Sequence, residues 1–256
     1  MFRLLLTALF LLLTMSGPGT ASAKVLPVPA PEPVKPRTVL THVHRESCEE
    51  TAAEPVEIIC ILDRSGSMRS LAGDVIGGYN AFLEKQRQEP GTAEVTTVLF
   101  DDRYEKIVEA VDLQKAPALT AETYYARGMT ALLDAIGRTV SETLGRMEKA
   151  DVCPAKRRVL VLIMTDGLEN NSREYDKASV KALIDATTKE YGWNYIFMGA
   201  NIDSVAEAAA LGISADHAVD YAHDSDGVQE SFSRMSAAAK EARESGSVSG
   251  NWKDGQ

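Results

Sequence analysis

Apolar runs alternate with amphipathic stretches along most of this chain. Val56 to Leu62, Glu94 to Phe100, Lys106 to Leu113, Arg158 to Met164, Tyr195 to Met198 and His217 to Tyr221 read as strands. Between them, apolar residues recur at helical spacing. Val75, Ile76, Tyr79, Phe82 and Leu83 share one face, as do Leu132, Leu133, Ile136, Val140, Leu144 and Met147. Val180, Leu183 and Ile184 continue the pattern, and Val228, Phe232, Met235 and Ala239 give the last helix a stripe to bury. Strands that are Val-, Ile- and Leu-rich throughout, and separated by helices, predict an α/β fold with a mainly parallel sheet covered on both faces. Only the link Asp101-Asp102-Arg103-Tyr104 is too short for a crossover, so the second and third strands are expected as an antiparallel hairpin at the sheet edge. Ligands in such sheets bind beyond the carboxyl ends of the strands, where the strand order reverses.

The two ends of the chain follow different rules. Arg3, the apolar run Leu4 to Met15 and then Ala21-Ser22-Ala23 match a secretory signal over residues 1–23. The run is short for a membrane span. The expectation is therefore cleavage after Ala23 and a secreted or periplasmic protein with no stable membrane insertion; an uncleaved N-terminal anchor is the alternative. Residues 24–55 form a Pro-rich arm. Residues 56–245 hold the domain, and the Gly- and Ser-rich residues 246–256 are expected as a flexible tail.

The chemistry concentrates where strands end. Glu57 to Leu62 runs straight into Asp63-Arg64-Ser65-Gly66-Ser67. One carboxylate and two hydroxyls at alternate positions after a strand suit a small hard cation that takes oxygen ligands, though Asp and Ser are also favoured there as caps and turn residues. Arg158 to Met164 repeats the layout and ends in Thr165-Asp166-Gly167, while Arg127-Gly128-Met129-Thr130 precedes a strongly periodic helix. If the fold gathers these ends, Asp63, Ser65, Ser67, Thr130 and Asp166 surround one point.

With these three motifs the chain resembles the von Willebrand factor A (vWA) domain and its metal-ion-dependent adhesion site (MIDAS), in a bacterial or phage-type subgroup. The resemblance spans roughly residues 55 to 245. It implies a Rossmann-like vWA fold: a mostly parallel six-stranded sheet with one antiparallel edge strand and helices on both faces. It also implies a divalent cation held by Asp63, Ser65, Ser67 and Thr130, with Asp166 acting through water, and a protein partner whose Asp or Glu completes the coordination. The Cys- and His-free donor set favours Mg2+, with Mn2+ and Ca2+ as alternatives.

Charge narrows the partners. Lys and Arg number 27 against 37 Asp and Glu, a net charge of −10, and no concentrated basic stripe offsets it, which disfavours nucleic acid. Lys156-Arg157-Arg158 reads as a solvated strand start. The competing function class is a metal-dependent, phosphatase-like hydrolase at the same cation site. Against it, the position two after Asp63 is Ser65, where such a phosphatase would offer a second Asp. Ser65 also lacks a Gly-x-Ser-x-Gly elbow, so no enzyme is expected.

The remaining candidates carry less. Cys60 lies inside the first strand, while Cys48 and Cys153 both precede central strands and are candidates for a disulfide. His42 and His44 lack a second ligand cluster. His217 and His223 read as strand-end or surface residues. Asp101, Asp102, Asn201 and Asp203 are expected on the same edge as the cation site, as rim or turn residues, and Asn170-Asn171-Ser172 matches a glycosylation acceptor by pattern alone.

Overall fold

The structure is a computed structural model and describes residues 55–254. The signal assigned to residues 1–23 and the arm assigned to 24–55 except its last residue, with His42, His44 and Cys48, lie outside the described residues. Among those described, no helix is long and apolar enough to cross a membrane.

Strand β1 (Val56–Asp63) is buried along its whole length because it lies mid-sheet with a helical layer on each side. Its side chains alternate between two cores. Ile58, Cys60 and Leu62 pack with helices α1 (Ala72–Gln88) and α5 (Ser225–Ser245). Ile59 and Ile61 pack with α2 (Leu132–Lys149) and α3 (Lys177–Tyr191). The chain first moves outward to β2 (Ala93–Phe100), parallel to β1, and turns back as the antiparallel edge strand β3 (Tyr104–Asp112). After α2 it returns to the centre with β4 (Val159–Thr165), then adds β5 (Asn194–Gly199) and β6 (Ala218–Asp220), all parallel to β1. The order is β3-β2-β1-β4-β5-β6, so the direction of winding reverses between β1 and β4. The crevice at their carboxyl ends is where this architecture places a ligand.

Buried charge at the opposite end of β1 is compensated. Both Glu57 carboxylate oxygens lie 2.6 Å from Arg146 Nη2, and the Thr96 hydroxyl donates to Oε1 at 2.8 Å. Charges on β3 (Glu105, Lys106, Glu109) keep the exposed edge from pairing with another chain.

One helix was not foreseen and one expectation needs correction. A short helix, α4 (Ser204–Ala210), follows β5; its alanine-rich sequence shows no apolar stripe, and the Asp203 carboxylate caps it by accepting from Ala206 N–H. Residues 246–254 are packed against the domain rather than extended as a flexible tail. Val248 and Trp252 are buried in the core beneath α5, and Trp252 Nε1 donates to the Asp216 carbonyl at 3.1 Å. Cys153 is disulfide-bonded, as the expected pairing requires, although Cys48 lies outside the described residues. Cys60 is a free, buried thiol.

Candidate metal centre

The exits of β1 and β4 converge as their parallel pairing dictates: Leu62 pairs with Met164, so Asp63 and Thr165 leave the sheet side by side. Thr165 Oγ1 donates to Asp63 Oδ2 at 2.7 Å, and Ser65 N–H donates to Oδ1 at 2.7 Å. Tyr124 Oη donates to the Asp63 carbonyl at 2.5 Å, fixing the backbone as well. The next residue along β4, Asp166, reaches back to the first loop. Ser67 Oγ donates to Asp166 Oδ1 at 2.6 Å, Ser65 Oγ lies 3.5 Å from the same oxygen, and the two serine oxygens are 3.1 Å apart. Asp63, Ser65, Ser67 and Asp166 thus form one hydrogen-bonded cluster.

Thr130 reaches this edge by a different route. Beyond β3 the chain climbs along α1, where Asn80 bonds both the N–H and the carbonyl of Leu119, and arrives beside the β1 exit. There Gly66 N–H donates to the Gly128 carbonyl at 3.2 Å and Arg127 N–H to the Arg64 carbonyl at 2.9 Å. Gly128 sits at φ +69°, and a Cβ there would lie 2.0 Å from Asp102 Oδ1, so only glycine fits. Thr130 is clamped from the β4 side: its N–H donates to Asn170 Oδ1 at 2.9 Å and its carbonyl accepts from Asn170 and Asn171 N–H. Its side chain is buried.

The electrostatics set this cluster apart from an ordinary polar turn. Asp63 and Asp166 are both buried, and among the described residues neither is ion-paired with Lys or Arg. Burial pushes the Asp63 carboxyl up to about 6, opposed by the hydrogen bonds from Thr165 and the Ser65 N–H that stabilise its ionised form and helped in smaller measure by the negative charge of Asp166. Two buried tyrosines, Tyr124 and Tyr221, are held neutral by burial and by the same two carboxylates, and the Tyr221 hydroxyl has no hydrogen-bond partner among the described residues. Among the described residues there is no cluster of three or more His, Cys, Asp or Glu suited to a metal. The site instead combines two uncompensated carboxylates with hydroxyls, a donor set that fits a hard divalent cation.

The sequence reading missed several residues here. His223, read as a strand-end or surface residue, has its Nε2 2.9 Å from Asp166 Oδ2; since a carboxylate only accepts, the imidazole donates. Thr165 and Tyr124 were not named as site residues, and Asn170, read only as part of a glycosylation pattern, is a clamp on Thr130. Asn201 Nδ2 reaches the Asp166 carbonyl at 3.4 Å. Asp101 is not a rim residue. It is fully buried and takes Arg64 Nε at 3.1 Å and Arg127 Nε at 2.6 Å on one oxygen and Arg103 N–H at 2.7 Å on the other. Arg64 and Arg127 also pair with Glu105, so the one buried arginine beside Asp63 is turned away from the cluster.

No family model and no curated protein matches the chain. Solved structures do. Proximal thread matrix protein 1 from the mussel byssus, with a zinc-occupied MIDAS motif, superimposes with a TM-score of 0.50 at 15% identity, over 73% of this chain and 46% of that one. A manganese-loaded TRAP protein of Plasmodium vivax gives 0.49 at 17% identity, over 71% of this chain and 73% of that one. A von Willebrand factor type A structure from Catenulispora acidiphila gives 0.46 at 18%, over 74% and 43%. The chain spans less than half the length of the mussel and Catenulispora structures. With the sheet order and the single antiparallel edge strand, the likeness is one of fold: this chain has the Rossmann-like vWA fold.

Proposed function

We propose that this chain is a metal-dependent binding module. Asp63, Ser65, Ser67, Thr130 and Asp166 hold one divalent cation, and an Asp or Glu carboxylate of a protein partner completes its coordination. The observation that carries this reading is the pairing of two buried carboxylates with converging serine hydroxyls and no Lys or Arg counter-ion. Such a pair is costly unless a cation joins it. The zinc-occupied MIDAS motif named for the mussel protein lies on the same kind of fold and is consistent with this reading. The oxygen donors favour Mg2+ or Mn2+.

The reading is of a binder rather than an enzyme. No acid stands two residues after Asp63, and the imidazole nearest the cluster, His223, is engaged with Asp166. The hydrolase alternative calls for a general acid or base free to reach a substrate. Export is part of the proposal and rests on the pattern of residues 1–23. It would place the site where divalent cations and other surfaces are both available.

Calorimetry on the full chain tests the centre. Mn2+ and Mg2+ should bind saturably with one site, and Asp63→Ala should abolish it. Hydrolysis of an aryl phosphate that depends on the same cation and is lost in Asp63→Ala would overturn the assignment to binding.

A further inference from the structure

Large exposed hydrophobic side chains are few, and their placement is not random. Among the described residues they are Tyr125 (45% exposed), Met129 (50%), Leu168 (57%) and Val205 (41%). Leu168 and Val205 follow the carboxyl ends of β4 and β5, while Tyr125 and Met129 lie on the segment that climbs from the far end of β3 to the β1 exit, so all four belong to the edge that carries the candidate metal centre. Met129 directly precedes Thr130, Leu168 lies two residues beyond Asp166, and Val205 opens α4 after β5. Tyr125 belongs to the segment that crosses the β1 exit between Tyr124 and Arg127.

Tyr125 is also held in place before anything binds. The guanidinium of Arg64 lies 5.5 Å from its ring centroid and that of Arg127 5.1 Å, while Arg127 Nη1 donates to its hydroxyl at 2.8 Å. Both arginines are in turn fixed by Asp101 and Glu105. A half-exposed aromatic fixed on a buried ionic network loses little side-chain freedom on docking, the property that makes Tyr an efficient anchor at interfaces.

We infer that Tyr125, Met129 and Leu168 form an apolar rim around the metal centre, and that the partner is a protein segment presenting a single carboxylate flanked by aromatic or aliphatic side chains. This rests on the metal-dependent binding proposed above and names its partner class. Charge complementarity selects the same occupant. A chain of net charge −10 repels a run of acidic residues, whereas one carboxylate consumed by the cation leaves apolar flanks to meet an apolar rim. Each apolar residue comes from a stretch tied to the site, so cation and rim engage together: the carboxylate supplies metal dependence and the flanks supply discrimination among acidic partners.

The test is selection of random linear peptides displayed on phage against the Mn2+-loaded full chain, with release by EDTA. The expected clones carry an Asp or Glu with aromatic or aliphatic residues within two positions. Synthetic versions should lose tenfold or more in affinity for the Met129→Ser/Leu168→Ser double variant and for Tyr125→Ser, while calorimetric Mn2+ affinity stays unchanged. EDTA-released acidic clones without apolar enrichment, or equal binding by the variants, overturn the rim. Mn2+ binding without any EDTA-released acidic clone overturns both rim and acidic partner. Absence of Mn2+ binding by the wild type refutes the metal centre itself, and the rim with it.

Discussion

Replacing Asp63 by Asn should make the metal-free protein more stable while destroying its proposed function. Asp63 is buried, and burial raises its carboxyl from an ordinary 3.8 to about 6. A carboxyl raised on folding costs nothing below the unfolded pKa, where it is protonated in both states. Its penalty grows as pH rises from about 4 to about 6 and is complete above that. The gap corresponds to about 3 kcal/mol at pH 8. Asn keeps an acceptor for Ser65 N–H and offers its amide to the Thr165 hydroxyl, which can accept as well as donate. Thermal unfolding in EDTA should therefore show Asp63→Asn melting roughly 5–10 °C above wild type at pH 8, with the difference vanishing near pH 4. Mn2+ at a thousand times its Kd should reverse the order, since it adds about 4.1 kcal/mol to the wild type alone. An Asp63→Asn protein less stable than wild type at pH 8 in EDTA would refute the claim that the cluster carries uncompensated charge.

Other expectations follow from single contacts. His223→Ala frees Asp166 Oδ2 and should weaken Mn2+ binding by about 10- to 100-fold, with recovery in His223→Gln, which keeps a donor; equal calorimetric affinity in all three would show the contact to be incidental. Trp252→Ala empties a buried site beneath α5 and should cost about 3–5 kcal/mol in denaturant unfolding, whereas a loose tail would cost nothing. The Cys60 thiol, pushed up to about 12 by burial, should resist iodoacetamide in the native protein at pH 8 and react once urea unfolds it; labelling at the rate of a free peptide thiol would contradict its placement mid-sheet.

The sheet was legible because β1 and β4 are covered on both faces, so their apolar runs are uninterrupted and their exits stand out. The short hairpin link likewise announced the antiparallel edge. What was not legible depended on partners distant in sequence. Asp101 and Asp166 both follow an apolar strand and look alike in the chain. One is neutralised by Arg64 and Arg127, the other meets only hydroxyls and His223, and nothing local to either Asp announces the difference. His223 had a usable signal, since it lies two residues past Tyr221 on the edge already assigned to the site. Trp252 was hidden by Gly and Ser neighbours that resemble a linker, although a lone Trp there is itself a hint of an anchored segment.

The contrast between the two ends of β1 bears on what the site is for. At the amino end Glu57 is buried and satisfied by Arg146 and Thr96, which closes that charge permanently into the fold. At the carboxyl end Asp63 is equally buried, but the adjacent arginine is pulled aside by Asp101 and Glu105 and leaves the carboxylate to hydroxyls. The same strand therefore carries one structural carboxylate with a built-in counter-ion and one without. A fold that supplies arginines to Glu57 and Asp101 and withholds them from Asp63 and Asp166 leaves a deficit of positive charge at one point on its surface edge. A divalent cation would balance those two charges, yet with mostly neutral hydroxyl donors it would keep a coordination position open for one more anion. On this argument the proposed partner binding should be strictly cation-dependent: without the ion, an incoming carboxylate would meet two like charges and be repelled.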